Sequence, residues 1–271
     1  MESDNGRPEP NQSLLAFFGR HLKKQRELRG WSQEESARRA FTTGAMISYL
    51  ENAKRVPTKD LAADLDRAFG TDFFGEFYPL VVRYAYPSWF LPYVEMEREA
   101  TSIRSFQPQI IPALLQTEDY ARAMLTPERL DNLDGLVAAR MTRQDVFGRG
   151  LPPRTWFIID EQALRRKLGG PAVMRAQLER LLVAGRHPRT VIQVLPEDVA
   201  AHPGLAGPFT LLSFDQGADV LYVDAFLQGR TALDAAEVAA GQRAYDLLNS
   251  YALSPDASAD RIRQHLKGLP A

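Results

Sequence analysis

The sequence predicts two fold classes in succession, a mainly α segment followed by an α+β domain. Between Ser13 and Gly70 apolar residues recur at helical spacing behind Ser or Thr caps. Beyond Tyr93, short runs rich in β-branched and aromatic residues alternate with helical stretches. Between the two, Phe73, Phe74, Phe77, Tyr78, Tyr84, Tyr86, Trp89, Phe90 and Tyr93 crowd into one short segment. The expected boundaries are a tail over 1–12, a helical domain over 13–72, a packed aromatic connector over 73–92 and an α+β domain over 93–267. With 271 residues, 45% of them hydrophobic, the chain can bury a core in each domain.

The tail, with Pro8 and Pro10 among polar residues, has too little apolar content to order itself. From Ser13 a helix carries Leu15, Phe18, Leu22 and Leu28 to a left-handed cap at Gly30. Ser32 with Glu35 forms a capping box, so a second helix starts at Gln33 and runs to about Ala40. Thr43 caps a third helix whose inward stripe is Met46, Ile47 and Leu50. Its outward side is then Gly44, Ala45, Ser48 and Tyr49. A further helix opens at Pro57 and Thr58 and closes at Gly70; five helices complete a small domain. Two short helices meeting across a tight turn, with a small residue at Ala37, make a helix-turn-helix.

Charge points the same way. From Leu14 to Lys59 ten cations face four anions, a net +6, while the whole chain is −1. A face that grips duplex DNA must neutralise phosphates, and the positive charge gathers where the motif lies.

The spacing of SQEE, ISYLE and KRVP resembles the XRE and Cro type of phage-repressor helix-turn-helix, from about Leu14 to Gly70. The resemblance implies that Gln33 caps the first motif helix and touches a phosphate, with Thr43 near the backbone. It further implies that Gly44, Ala45, Ser48 and Tyr49 face base edges and that Arg26 pairs with Glu51. Lys54 and Arg55 are expected in the phosphate footprint. The sequence departs from the family where Phe41 and Ala53 replace glycines and where Gly44 and Ala45 replace long polar readers. Readout is therefore expected to lean on thymine methyl contact, Ser48, Tyr49 and DNA shape.

Pro79, Pro87 and Pro92 are expected to break any long helix in the aromatic segment. In the α+β domain, Glu95–Ser105, Leu133–Phe147, a helix ending at Ala184 and Ala235–Tyr251 read as helices. Glu118 and Asp119 begin another, and Ser254 leads into a last one ending at Leu266. Runs at Thr155–Glu161, Thr190–Pro196, Phe209–Phe214 and Asp219–Phe226 read as strands, giving a mixed sheet of about four.

The stretches FQPQIIPALLQTEDYARAML, ARMTRQD, IIDEQALRRKLGGPAVMRAQLERLL, VIQVLP, HPGLAGPFTLLSF and ALSPDAS resemble the domain that follows XRE-type motifs in actinobacterial antitoxin-like regulators. That resemblance implies a small companion protein encoded nearby, and it offers no catalytic residue.

The sequence excludes several chemistries. Without cysteine there are no disulfides, thiolate metal sites or cysteine nucleophiles, which fits a reducing cytoplasm. No apolar run of about 18 residues suggests a membrane span. His21, His187, His202 and His265 stand apart in sequence without metal-ligand spacing, and Asp160 with Glu161 lacks the lysine a metal-dependent nuclease would want. The expected protein is a cytoplasmic, homodimeric, non-enzymatic regulator without metal or cofactor, binding double-stranded DNA and a companion protein. The alternative is a one-component regulator whose second domain senses a small molecule.

Overall fold

A computed structural model describes residues 13–128, 132–225 and 227–270, and the expected tail lies outside them. The element order is α1 (Leu14–Leu28), α2 (Gln33–Arg39), α3 (Gly44–Glu51), α4 (Lys59–Phe69), α5 (Phe73–Ala85), α6 (Leu91–Glu99), β1 (Ser102–Gln107), α7 (Glu118–Leu125), α8 (Leu133–Thr142) and β2 (Arg154–Asp160). There follow α9 (Glu161–Arg165), α10 (Pro171–Ala184), β3 (Thr190–Leu195), β4 (Phe209–Ser213), β5 (Val220–Val223), β6 (Arg230–Ala232), α11 (Ala235–Tyr251) and α12 (Pro255–Lys267). Two compact units result. One ends at Ser88 and also takes Leu125–Thr142; the other takes Trp89–Met124 and the chain from Arg143 onward.

In the first unit each of α1 to α4 opens on a hydroxyl cap: Ser13, Ser32, Thr43 and Thr58 each accept a hydrogen bond from the amide three residues on. Each helix also closes alike. Gly30, Phe41, Ala53 and Gly70 are left-handed. The next amide then reaches five residues back, from Trp31 to Arg26, Thr42 to Ala37, Lys54 to Tyr49 and Thr71 to Asp66. The core is Leu15, Phe18, Leu22, Ala37, Ile47, Leu50, Leu65, Phe69 and Phe74, all fully buried. Gly19 lets α1 lie on the end of α3, since a Cβ there would strike the carbonyls of Leu50 and Glu51.

The aromatic segment corrects one expectation. Pro79 does not break the helix, and α5 runs through it. Proline removes one amide, but Gly75, whose carbonyl loses its partner, is exposed and water can replace the bond. The helix α8 packs on α5, where the Tyr86 hydroxyl donates to the Ala139 carbonyl at 2.8 Å and Asn132 donates to that of Tyr84 at 2.5 Å.

The second unit is built on a mixed sheet in the order β3-β2-β1-β4-β5-β6, with β1, β2 and β3 parallel and the other pairings antiparallel. It has six strands rather than about four. The central strand β1 overlaps the stretch that read as helix, because Ser102, Arg104, Ser105 and Gln107 hide its character. Ser105 meets the Thr210 hydroxyl at 3.0 Å across β4, and Arg104 lies along Tyr245 with Asp246 at 3.7 Å. The other unforeseen strand, β6, has only three residues.

Both faces of the sheet are covered, which accounts for the near-continuous apolar runs. Ile103, Phe157, Ile159, Val194 and Leu212 pack with Leu178, Leu181 and Ile262 from α10 and α12. Phe106, Ile158, Leu211 and Leu221 pack with Val238, Tyr245 and Leu248 of α11. The outer edge of β3 is closed by later chain: the Leu253 amide donates to the Val194 carbonyl, and the Val194 amide donates to Ser258 Oγ, both at 2.9 Å. No described helix is long and apolar enough to cross a membrane.

Candidate nucleic-acid interface

The motif is held from beneath by one carboxylate. Arg26 grips Glu51 in a fork, Nε to Oε1 at 2.5 Å and NH2 to Oε2 at 3.1 Å, and its third nitrogen donates to the Trp31 carbonyl at 3.1 Å. Gln33 donates to Glu51 Oε2 at 2.8 Å. Three elements are thereby tied together: α1 through Arg26, α2 through Gln33 and α3 through Glu51. The cap of α2 is Ser32 Oγ, and Gln33 is the first helical residue, with one of the two hydrogens of its side-chain amide on Glu51.

The outward side of α3 is open at Thr43, Ala45 and Tyr49, with Ser48 half-buried. Tyr49 is 40% exposed, and the Arg55 guanidinium sits 4.7 Å from its ring centre. Arg55 also donates to the Lys54 carbonyl at 2.9 Å, so the ring and the cation form one unit beside exposed Lys54. Gly44 departs from the helical-wheel expectation. It is buried, with the Glu34 carboxylate lying where its side chain would be.

The +6 segment spends part of its charge internally. Arg39 pairs with Glu35 at 2.9 Å and lies over Trp31, Lys23 approaches Glu27 at 4.0 Å, and Arg29 caps the Phe69 carbonyl. Lys24, Arg38 and Lys59 remain exposed. His21 stacks on Phe73 at 3.8 Å; burial, and next the charge of Lys24, lower its pKa.

Two histidines that stand apart in sequence meet carboxylates in the second unit. His265 Nε2 lies 2.9 Å from buried Glu161, which also binds Arg261 at 2.5 Å. Burial pushes the Glu161 carboxyl up, but hydrogen bonds from His265 and the Glu197 amide, with the Arg261 charge, hold it below the usual range. His202 Nε2 is 3.7 Å from Asp160, whose other oxygen caps α9. A third cluster joins Arg143 to Glu97 through two bonds of 2.7 Å, with the Tyr93 hydroxyl on the same carboxylate at 2.8 Å. These pairs are invisible in sequence because their members lie far apart along the chain, Asp160 from His202, Glu97 from Arg143 and Glu161 from His265, except Tyr93 and Glu97, one helical turn apart. Among the described residues no three His, Asp or Glu side chains are grouped to hold a metal ion.

No curated protein and no solved structure matches the chain. Residues 18–73 match the family described as Helix-turn-helix domain, in agreement with the XRE-type geometry of α2 and α3. Residues 90–264, more than half of the whole, match a second family, and the chain belongs to it: Domain of unknown function (DUF5753).

Proposed function

We propose that this chain is a homodimeric transcriptional regulator of the antitoxin-like kind, acting in the cytoplasm. Its helix-turn-helix reads duplex DNA, and its α+β domain holds the dimer and recognises a small companion protein encoded nearby. The carrying observation is the open side of α3, exposed Thr43, Ala45 and Tyr49 with half-buried Ser48 among them, standing in a segment of net charge +6. One eight-residue helix makes few base contacts, which supports a twofold pair reading half-sites about 34 Å apart. Thr43, Gln33, Lys54 and Arg55 are assigned to the backbone of the duplex, and Ala45, Ser48 and Tyr49 to base edges. The reading assigns no catalytic residue and no cofactor. Carboxylates such as Glu97 and Glu161 are engaged by arginine, a structural use of charge.

Selection from a randomised duplex pool by the full chain should return a twofold-symmetric site. Failure to retain any duplex, alone or with the neighbouring small protein, ends the DNA-binding reading. Co-expression with that protein should give a stoichiometric complex on copurification, and separate elution of the two removes the companion from the proposal.

A further inference from the structure

The motif lacks long polar readers at Gly44 and Ala45, yet an acceptor stands at that place. A methyl built on Gly44 overlaps the Glu34 carboxylate, so this α2 side chain fills the space above the first residue of α3. Glu34 is exposed, and among the described residues it makes no hydrogen bond or ion pair. Arg38, one turn further along α2, is placed to pair with it at the usual helical spacing and does not. The carboxylate instead lies toward the positive end of α3. The N-terminal residues of such a helix are the ones that reach base edges.

We infer that Glu34 is a specificity-determining residue that reads cytosine in the major groove, using the seat left by Gly44. This rests on the DNA-binding reading above. A carboxylate accepts hydrogen bonds and donates none. Guanine and thymine present acceptors on their groove edges, and adenine sets an acceptor beside its amino group. Cytosine presents the N4 amino donor alone. A negative charge on a DNA face repels phosphates, so selecting against every base but one offsets a cost the side chain otherwise only adds.

The test uses the full chain, the duplex that wild type selects, and all four bases at each half-site position, measured by fluorescence anisotropy at fixed salt. Wild type should prefer cytosine at one position by about tenfold. Glu34→Ala should abolish that preference. Glu34→Gln should move it toward adenine, because an amide both donates to N7 and accepts from N6. Gly44→Ala, whose methyl takes the carboxylate's seat, should lose the preference without lowering the melting temperature. Uniformly tighter binding by Glu34→Ala with unchanged base preference would overturn the inference and leave Glu34 as a phosphate repeller; no change at all would overturn it too. A wild-type chain that retains no duplex sinks the DNA-binding reading itself, a different result from either.

Discussion

Phe41 and Ala53 hold left-handed backbone, at φ 51° and 56°, where the resembled family has glycine. The turn geometry therefore outlives the residue that suits it, because each position lets the following amide reach five residues back and close its helix. A side chain in this region costs roughly 1 kcal/mol. Ala53→Gly is expected to raise stability by about that amount, less the extra freedom it gives the unfolded chain. Chemical denaturation of the two proteins checks it, and an unchanged or lower midpoint refutes it. Phe41 adds a ring that is 79% exposed, so the strained position is also the most exposed apolar point of the motif. At this scale the sequence was legible wherever a cap or a turn is local, as at Ser32, Thr43 and Gly70. It was silent where a neighbouring helix intrudes: no wheel drawn on α3 alone reveals that Glu34 covers Gly44.

Elements divide along the same line. The helices α10 and α11 end where spacing and caps place them, since their signals lie within a few residues. The strand β1 was hidden because its polar residues are satisfied across the sheet by Thr210, Tyr245 and Asp246, partners about a hundred residues away or more. Two element pairs titrate. His21 fastens α1 to α5 with its folded pKa below 6.5, so the folded state favours the neutral ring. Above pH 6.5 nothing is lost. Below it the unfolded chain takes up a proton that the fold resists, and stability falls until the lower folded pKa is passed. Melting of wild type should therefore drop through this range more steeply than that of His21→Phe, and parallel curves refute the assignment. Glu161 anchors α12 and is depressed, so its contribution is full above about pH 4.5 and disappears on acidification through the folded value. Glu161→Gln should cost about 1–3 kcal/mol and speed amide exchange over 255–267. Unchanged exchange there would show that the carboxylate does not hold the helix.

For the molecule as a whole, formal charge overstates the grip on DNA. Several of the ten cations are committed to Glu51, Glu35, Glu27 and the Phe69 carbonyl; the Glu51 and Phe69 contacts tie α1 to α3 and α4, while the other two are exposed pairs within one helix. Replacing Lys54 and Arg55 together with alanine should weaken binding to every duplex and flatten the logarithmic salt slope by up to about 2. An unchanged slope excludes both from the footprint. Because Arg55 rests on Tyr49, Tyr49→Ala removes the surface that positions that cation as well as the ring itself, so Tyr49→Ala and Arg55→Ala together should not show the sum of the single losses in duplex affinity.

The helix-turn-helix unit draws α8 from the middle of the chain, after α6, β1 and α7 of the other unit have been made. A gene fragment stopping at Ser88 would encode every residue assigned to the duplex yet leave Tyr84, Tyr86 and Val56 without the partners that Asn132, Ala139 and Thr142 provide. The reading head is consequently not a detachable cartridge. Chimeras that graft it onto a foreign sensor must carry a replacement for that returning helix.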